Sequence, residues 1–188
     1  MIKTIFFFLK FIIIKEKKKL NIFFSDGYYS WNFLKDIFNN IKKDKIYITL
    51  SNKEYNHLKN KIGKKRLYLC DSNLFIILWI NNIICKNIIT TLPDLNTYYW
   101  KKSKFVDNYI YIFHSLGSTF YIYNDKAFDS FDHIMCLNQY QFDELEKKRN
   151  QFNLSFKLHK AGYIHLDNLI IDYVEKKDEE KKKVLIAP

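Results

Sequence analysis

Glycine is scarce in this chain of 188 residues: Gly27, Gly63, Gly117 and Gly162 stand far apart. That spacing excludes a glycine-rich loop of the kind that cradles phosphates. Cysteine is scarce too, and odd in number. Cys70, Cys85 and Cys136 form no C-x-x-C pair and no zinc spacing, so they read as buried thiols in a reducing compartment. Arginine is nearly missing, with Arg66 and Arg149 set against a large excess of lysine. A phosphate reader uses more arginine, whose planar fork binds phosphate bidentately. The five histidines show no metal-ligand spacing. There is no nucleophile elbow, no paired-carboxylate motif and no internal repeat. No apolar run reaches the ~20 residues of a membrane span.

What the chain does have is a core. Apolar residues make up 48% and aromatic residues 18%, enough for one packed domain and too much for disorder. The net charge of +11 points to an acidic partner such as nucleic acid, anionic lipid or a phosphorylated substrate. The richness in Ile, Lys, Asn, Phe and Tyr is also what AT-rich coding produces. The lysines gather toward the chain ends, which argues against a basic face for nucleic acid.

Residues 1–19 stand apart. Ile5–Leu9 and Phe11–Ile14 are apolar, Lys10 interrupts them, and Lys17, Lys18 and Lys19 follow where a signal peptide would place small residues. As a helix, this segment would stack Lys3, Lys10 and Lys17 on one face, which suits an anionic membrane surface. The alternative is a first helix covering the sheet. From Leu20 onward short apolar runs recur at Leu20–Phe24, Lys45–Leu50, Arg66–Cys70, Lys86–Leu92, Tyr109–Phe113, His133–Leu137, Phe156–Gly162 and Val184–Ala187. Helical patterns separate most of them. Tyr29–Ile41 carries apolar residues at helical spacing. Ser51 with Glu54, and Asn138 with Gln141, are capping boxes, and Ser72 opens the apolar segment Leu74–Ile84. This alternation predicts an α/β Rossmann-like parallel sheet with helices on both faces over residues 20–174. Residues 175–188 read as a charged linker and the first strand of a second domain.

Polar residues fall where the strands end: Ser25-Asp26-Gly27, Ser51-Asn52, Asp71-Ser72, Pro93-Asp94 and His114-Ser115. In a parallel sheet these share the carboxyl rim, where open α/β folds bind ligands. Most serve as caps and turns. Asp26, Asp94 and His114 are lifted above that reading. A histidine titrates near ~6.5 and accepts a proton at neutral pH, although a rim histidine bonded to backbone is the plainer alternative. Ser115, Ser118 and Thr119 are candidates to hold a substrate hydroxyl or phosphate, and Ser118 to cap a helix whose N-terminus favours anions.

These residues carry a resemblance. Pro93-Asp94-Leu95, Tyr111-Ile112-Phe113-His114-Ser115, Ser118-Thr119, Ile122-Tyr123, Ala127-Phe128-Asp129 and Phe131-Asp132, in that order, resemble the CDP-glycerol glycerophosphotransferase family. The branch is the one with a Phe-His-Ser-x-x-Ser-Thr motif, found in bacterial surface-polysaccharide loci. Gly162-Tyr163 with Leu166-Asp167, Asp26-Gly27 and the closing Val184–Pro188 are similar to the same family, so the likeness spans roughly residues 20 to 188. Phe120 stands where many relatives have a second histidine. His114-Ser115-Leu116-Gly117 replaces the His-Gly-Thr-Pro of the wall-polymer branch.

The resemblance implies the N-terminal half of a two-domain GT-B fold. This half would bind a lipid-linked or polymeric glycan acceptor at an anionic membrane surface, and a separate C-terminal half would bind a CDP-linked polyol phosphate such as CDP-glycerol. No cofactor, metal or nucleic-acid partner is expected, and the protein is expected to be cytoplasmic and peripheral to the inner membrane face. His114 is then the general base, with Asp26, Asp94, Ser115, Ser118 and Thr119 shaping the acceptor cleft. The product would be a capsular or teichoic-acid-like polymer. The alternative is a non-catalytic fragment that only binds acceptor.

Overall fold

The structure is a computed structural model and describes residues 16–175 except 28, 43 and 64. The proposed interfacial segment before residue 16 and the linker and terminal strand after residue 175 lie outside the described residues. A 3-10 turn at Lys17–Lys19 leads into seven strands: β1 Asn21–Ser25, β2 Lys45–Thr49, β3 Leu67–Leu69, β4 Cys85–Thr90, β5 Val106–Ile112, β6 His133–Cys136 and β7 Lys157–Lys160. They form one all-parallel sheet in the order β3-β2-β1-β4-β5-β6-β7. The helices are α1 Ser30–Asn40, α2 Asn52–Leu58, α3 Asn73–Ile80, α4 Thr119–Ile122, α5 Gln139–Phe152 and α6 Ile164–Glu175.

The central strands are buried on both faces, which is why they read as unbroken apolar runs. Side chains alternate between two cores. Ile22, Phe24, Ile46, Ile48, Tyr109 and Tyr111 enter one, with Trp79 of α3 and Leu145 of α5. Phe23, Tyr47, Ile89 and Ile112 enter the other, with Trp31, Leu34 and Phe38 of α1. Helices therefore cover both faces, as an α/β Rossmann-like sheet requires. Aromatic pairs lock α1 to the sheet: Phe38 meets Phe23 edge-on at 5.1 Å and Trp31 meets Tyr47 at 5.3 Å. Each fully buried ring contributes about 1.5–3 kcal/mol of apolar burial.

The expected caps form in part. Asn138 Oδ1 accepts from Gln141 N–H at 2.8 Å and Ser51 Oγ from Glu54 N–H at 3.2 Å. The reciprocal half of each box is not made, because both N3 side chains are engaged elsewhere. Gln141 reaches the Leu137 amide, and Glu54 turns into the core. Ser72 precedes α3 without a side-chain cap. Helix α6 falls where the sequence offered no element, only the motif residues Leu166-Asp167. It lies against α1, with Asn168 Nδ2 donating to Asp36 at 3.0 Å. No helix among the described residues is long and apolar enough to cross a membrane.

Candidate functional site

In the sheet order, β1 and β4 are neighbours although two strands, β2 and β3, lie between them in the sequence. The chain runs outward from β1 to β2 and β3 on one side, and from β4 to β5, β6 and β7 on the other. Such a switch point opens a crevice at the carboxyl ends of the strands. A cavity of about 570 Å³ lies there. It is lined by Asp26 and Gly27 after β1, Tyr29, Ser30 and Phe33 at the head of α1, Thr91–Asp94 after β4, His114 after β5, and Ile122–Asn124 at the end of α4. Three of the residues singled out in the sequence, Asp26, Asp94 and His114, thus meet in one cavity. Among the described lining residues there is no lysine and no arginine.

His114 follows directly on the buried pair Ile112 and Phe113, so the strand itself delivers the ring to the rim. The side chain is half-buried, and Nδ1 is buried without a hydrogen-bond partner. Its ring centroid lies 5.7 Å from that of Phe33. Burial holds the imidazole below its usual range, and the nearby Asp26 carboxylate partly opposes this. His114 is therefore a neutral ring at neutral pH, free to accept a proton.

Asp94 sits at φ +64°, in the left-handed region that Asp and Asn tolerate best. Its amide donates to Ala127 O at 2.9 Å, and both carboxylate oxygens accept from Asn124 Nδ2, at 3.2 and 3.3 Å. Across the cavity, Thr91 Oγ1 donates to Ser30 Oγ at 3.2 Å, joining the end of β4 to the start of α1.

The loop after His114 is fastened from below by α5. Gln141 Nε2 donates to Ser115 O at 2.6 Å and to Gly117 O at 3.2 Å, and Tyr163 donates to His114 O at 3.3 Å. Ser118 and Thr119 face away from the cavity. Ser118 Oγ donates to Glu144 at 2.7 Å, and Thr119 donates to the same carboxylate through N–H at 2.7 Å and Oγ1 at 2.8 Å. The anion at the head of α4 is thus the chain's own Glu144. Ser115 Oγ accepts from Gly117 N–H at 3.4 Å and does not line the cavity either.

Glu54 had no role beyond a cap in the sequence. It is fully buried beneath the rim and accepts four hydrogen bonds: Ser25 Oγ and Thr49 Oγ1 at 2.6 Å, Tyr47 OH at 3.0 Å and Trp31 N–H at 3.2 Å. It binds the ends of β1 and β2 to the first turn of α1. The available signal was its place three residues after Ser51. The aromatic walls Tyr29 and Phe33 and the loop residue Asn124 carried no signal, and Tyr123 carried one only within the Ile122-Tyr123 motif, since only the fold brings them to the rim. Among the described residues no group of three or more His, Cys, Asp or Glu side chains could hold a metal ion.

No protein-family model matches the chain, and no curated protein sequence does. What fold and cavity together define is a Rossmann-like α/β domain with a histidine-bearing cleft at the switch point of its sheet.

Proposed function

We propose that this domain is the acceptor-binding half of a transferase resembling the CDP-glycerol glycerophosphotransferases. The observation that carries the reading is His114: a neutral imidazole beside Asp26 and Asp94 in a cleft at the switch point. In the proposed step the imidazole takes the proton of an acceptor hydroxyl. The hydroxyl oxygen forms a bond to the β-phosphorus of a CDP-activated polyol, the bond from that phosphorus to the bridging oxygen breaks, and CMP leaves. Asp26 would stabilise the imidazolium that forms. A second, donor-binding half would hold the CDP moiety. The basic, apolar first nineteen residues would keep the protein at the inner membrane face, near a lipid-linked or polymeric acceptor of the cell surface.

The cation-free lining of the cleft favours one further reading, a module that binds acceptor without catalysing transfer. CMP release from CDP-glycerol, with source-cell membranes as acceptor, separates the two. The transferase reading expects release by the wild-type chain and its loss in His114→Ala. Absence of release from both, also after supplying a donor-binding half, would leave the binding module.

A further inference from the structure

We infer that the cavity at the ends of β1, β4 and β5 takes an uncharged, hydroxyl-rich group, the unphosphorylated end of a polyol or glycosyl chain, in preference to a phosphorylated one. The transferase reading enters only in calling that group the acceptor. Rossmann-like folds hold phosphate at the N-terminus of the helix after β1, where free N–H groups and the helix dipole meet the anion. Here that place is filled from within. Trp31 N–H, in the first turn of α1, donates to the buried Glu54 carboxylate at 3.2 Å, and Ser30 N–H donates to Gly27 O at 3.3 Å. An internal carboxylate thus occupies the position where a phosphate would bind.

The lining continues the pattern. Asp26 and Asp94 are its only acidic side chains among the described residues, and no cation balances them, although the chain as a whole carries +11. A phosphate entering would lose its hydration opposite two carboxylates. Hydroxyl groups meet the opposite situation. Carboxylates are strong acceptors for O–H donors, the Asn124 amide oxygen adds another acceptor, and the neutral His114 accepts the proton of a further hydroxyl. Tyr29 and Phe33 add aromatic surface to the lining, against which the C–H groups of a sugar or polyol can pack. The volume of about 570 Å³ fits a ligand of that size.

The test is an NMR titration of the full chain, following the His114 imidazole resonances with ribitol, methyl glucoside, ribitol 5-phosphate and inorganic phosphate. We expect saturable shifts with at least one neutral ligand, and binding of ribitol 5-phosphate weaker than that of the better neutral ligand by about tenfold or more. Asp26→Asn, and separately Asp94→Asn, should each narrow that gap; Asn keeps the left-handed backbone at position 94 accessible. Equal or tighter binding of either phosphate compound overturns the inference, as does the failure of both neutral ligands to move His114. Saturable neutral binding without CMP release would remove the transferase reading alone. CMP release with phosphate preferred at His114 would remove this inference alone.

Discussion

Ser25 at the end of β1 donates to Glu54 of α2 at 2.6 Å, across 29 positions of sequence, and the contact is fully buried. With Thr49, Tyr47 and Trp31 on the same carboxylate, it fixes the loop that carries Asp26 to the candidate cleft. Glu54→Ala would strand four donors and open a cavity, and should cost about 3 kcal/mol or more in urea unfolding. Glu54→Gln keeps the shape and should cost less, about 1 kcal/mol. Burial raises the Glu54 carboxyl, with the four hydrogen bonds opposing. The folded value then lies above the usual 4.5, so stability is lost as pH rises from there through the folded value. That slope should be absent in Glu54→Gln. An unchanged slope would mean that Glu54 is not its source.

His114 should titrate below the usual 6.5 in the folded chain, since burial lowers it and Asp26 only partly restores it. Its contribution to stability is present above 6.5 and is lost as pH falls through the folded value. Asp26→Asn removes the opposing charge and should push the His114 titration lower still, read directly from its ring resonances. A rise in Asp26→Asn would show that the carboxylate does not act on this ring.

Glu144 holds Ser118 and Thr119 through three short hydrogen bonds. Burial raises the carboxyl, but those bonds outweigh it and hold the group below its usual range. Glu144→Ala should therefore cost about 1–2 kcal/mol at neutral pH, a loss that fades as pH falls below 4.5 through the folded value. The same variant should raise amide exchange in the loop from Ser115 to Tyr123. If these amides stay protected, Glu144 is not what fastens the loop.

The thiols offer a check on the packing itself. Cys70, Cys85 and Cys136 are buried. Burial pushes the Cys136 thiol up to about 12 and Cys85 higher still, with Asp107 adding to the effect at Cys85. Both should resist a thiol reagent at neutral pH until the chain unfolds, so their labelling rates should follow urea unfolding. Rapid labelling of the native chain would contradict the two-core packing around β4 and β6.

The sequence made the central strands legible because strands buried on both faces read as apolar runs, and each of the seven described strands falls in or overlaps a run singled out in the sequence, including the exposed edge strand β7. The start of β5 was hidden because Asp107 and Asn108 are polar, although both belong to the ladder. Strand order was not legible, since periodicity says nothing of which strand lies beside which. That is why Asp26 and His114 could be placed on one rim but not in one cavity. Helix α6 was missed because its apolar residues lie all around it: Leu169, Ile170, Ile171 and Tyr173 are all exposed, and no single stripe marks a buried face. Ser118 and Thr119 read as ligand groups because their partner, Glu144, is 25 or more positions away.

The outer edge of the sheet carries a pair of rings that should make its pairing acid-sensitive. His133 Nδ1 lies 2.9 Å from His159 Nε2, joining β6 to the edge strand β7. A hydrogen bond between two imidazoles needs one of them to accept, so at least one must be neutral. Burial, then the like charges of His159 and Lys157, hold His133 below its usual 6.5, and Asp132 partly opposes them. Asp132 is already engaged, accepting from Lys102 Nζ at 2.6 Å and from Tyr109 N–H at 2.8 Å, so its relief is limited. A depressed folded value makes this contribution full above 6.5 and lost as pH falls through the folded value. Amides of the β6–β7 ladder, such as Ala161 bonded to Cys136 O at 2.9 Å, should then lose exchange protection in mild acid before those of β1 and β2. His159→Gln keeps an acceptor that does not titrate and should remove the early loss. Simultaneous loss of protection across all strands, in both proteins, would show that the pair does not govern this edge.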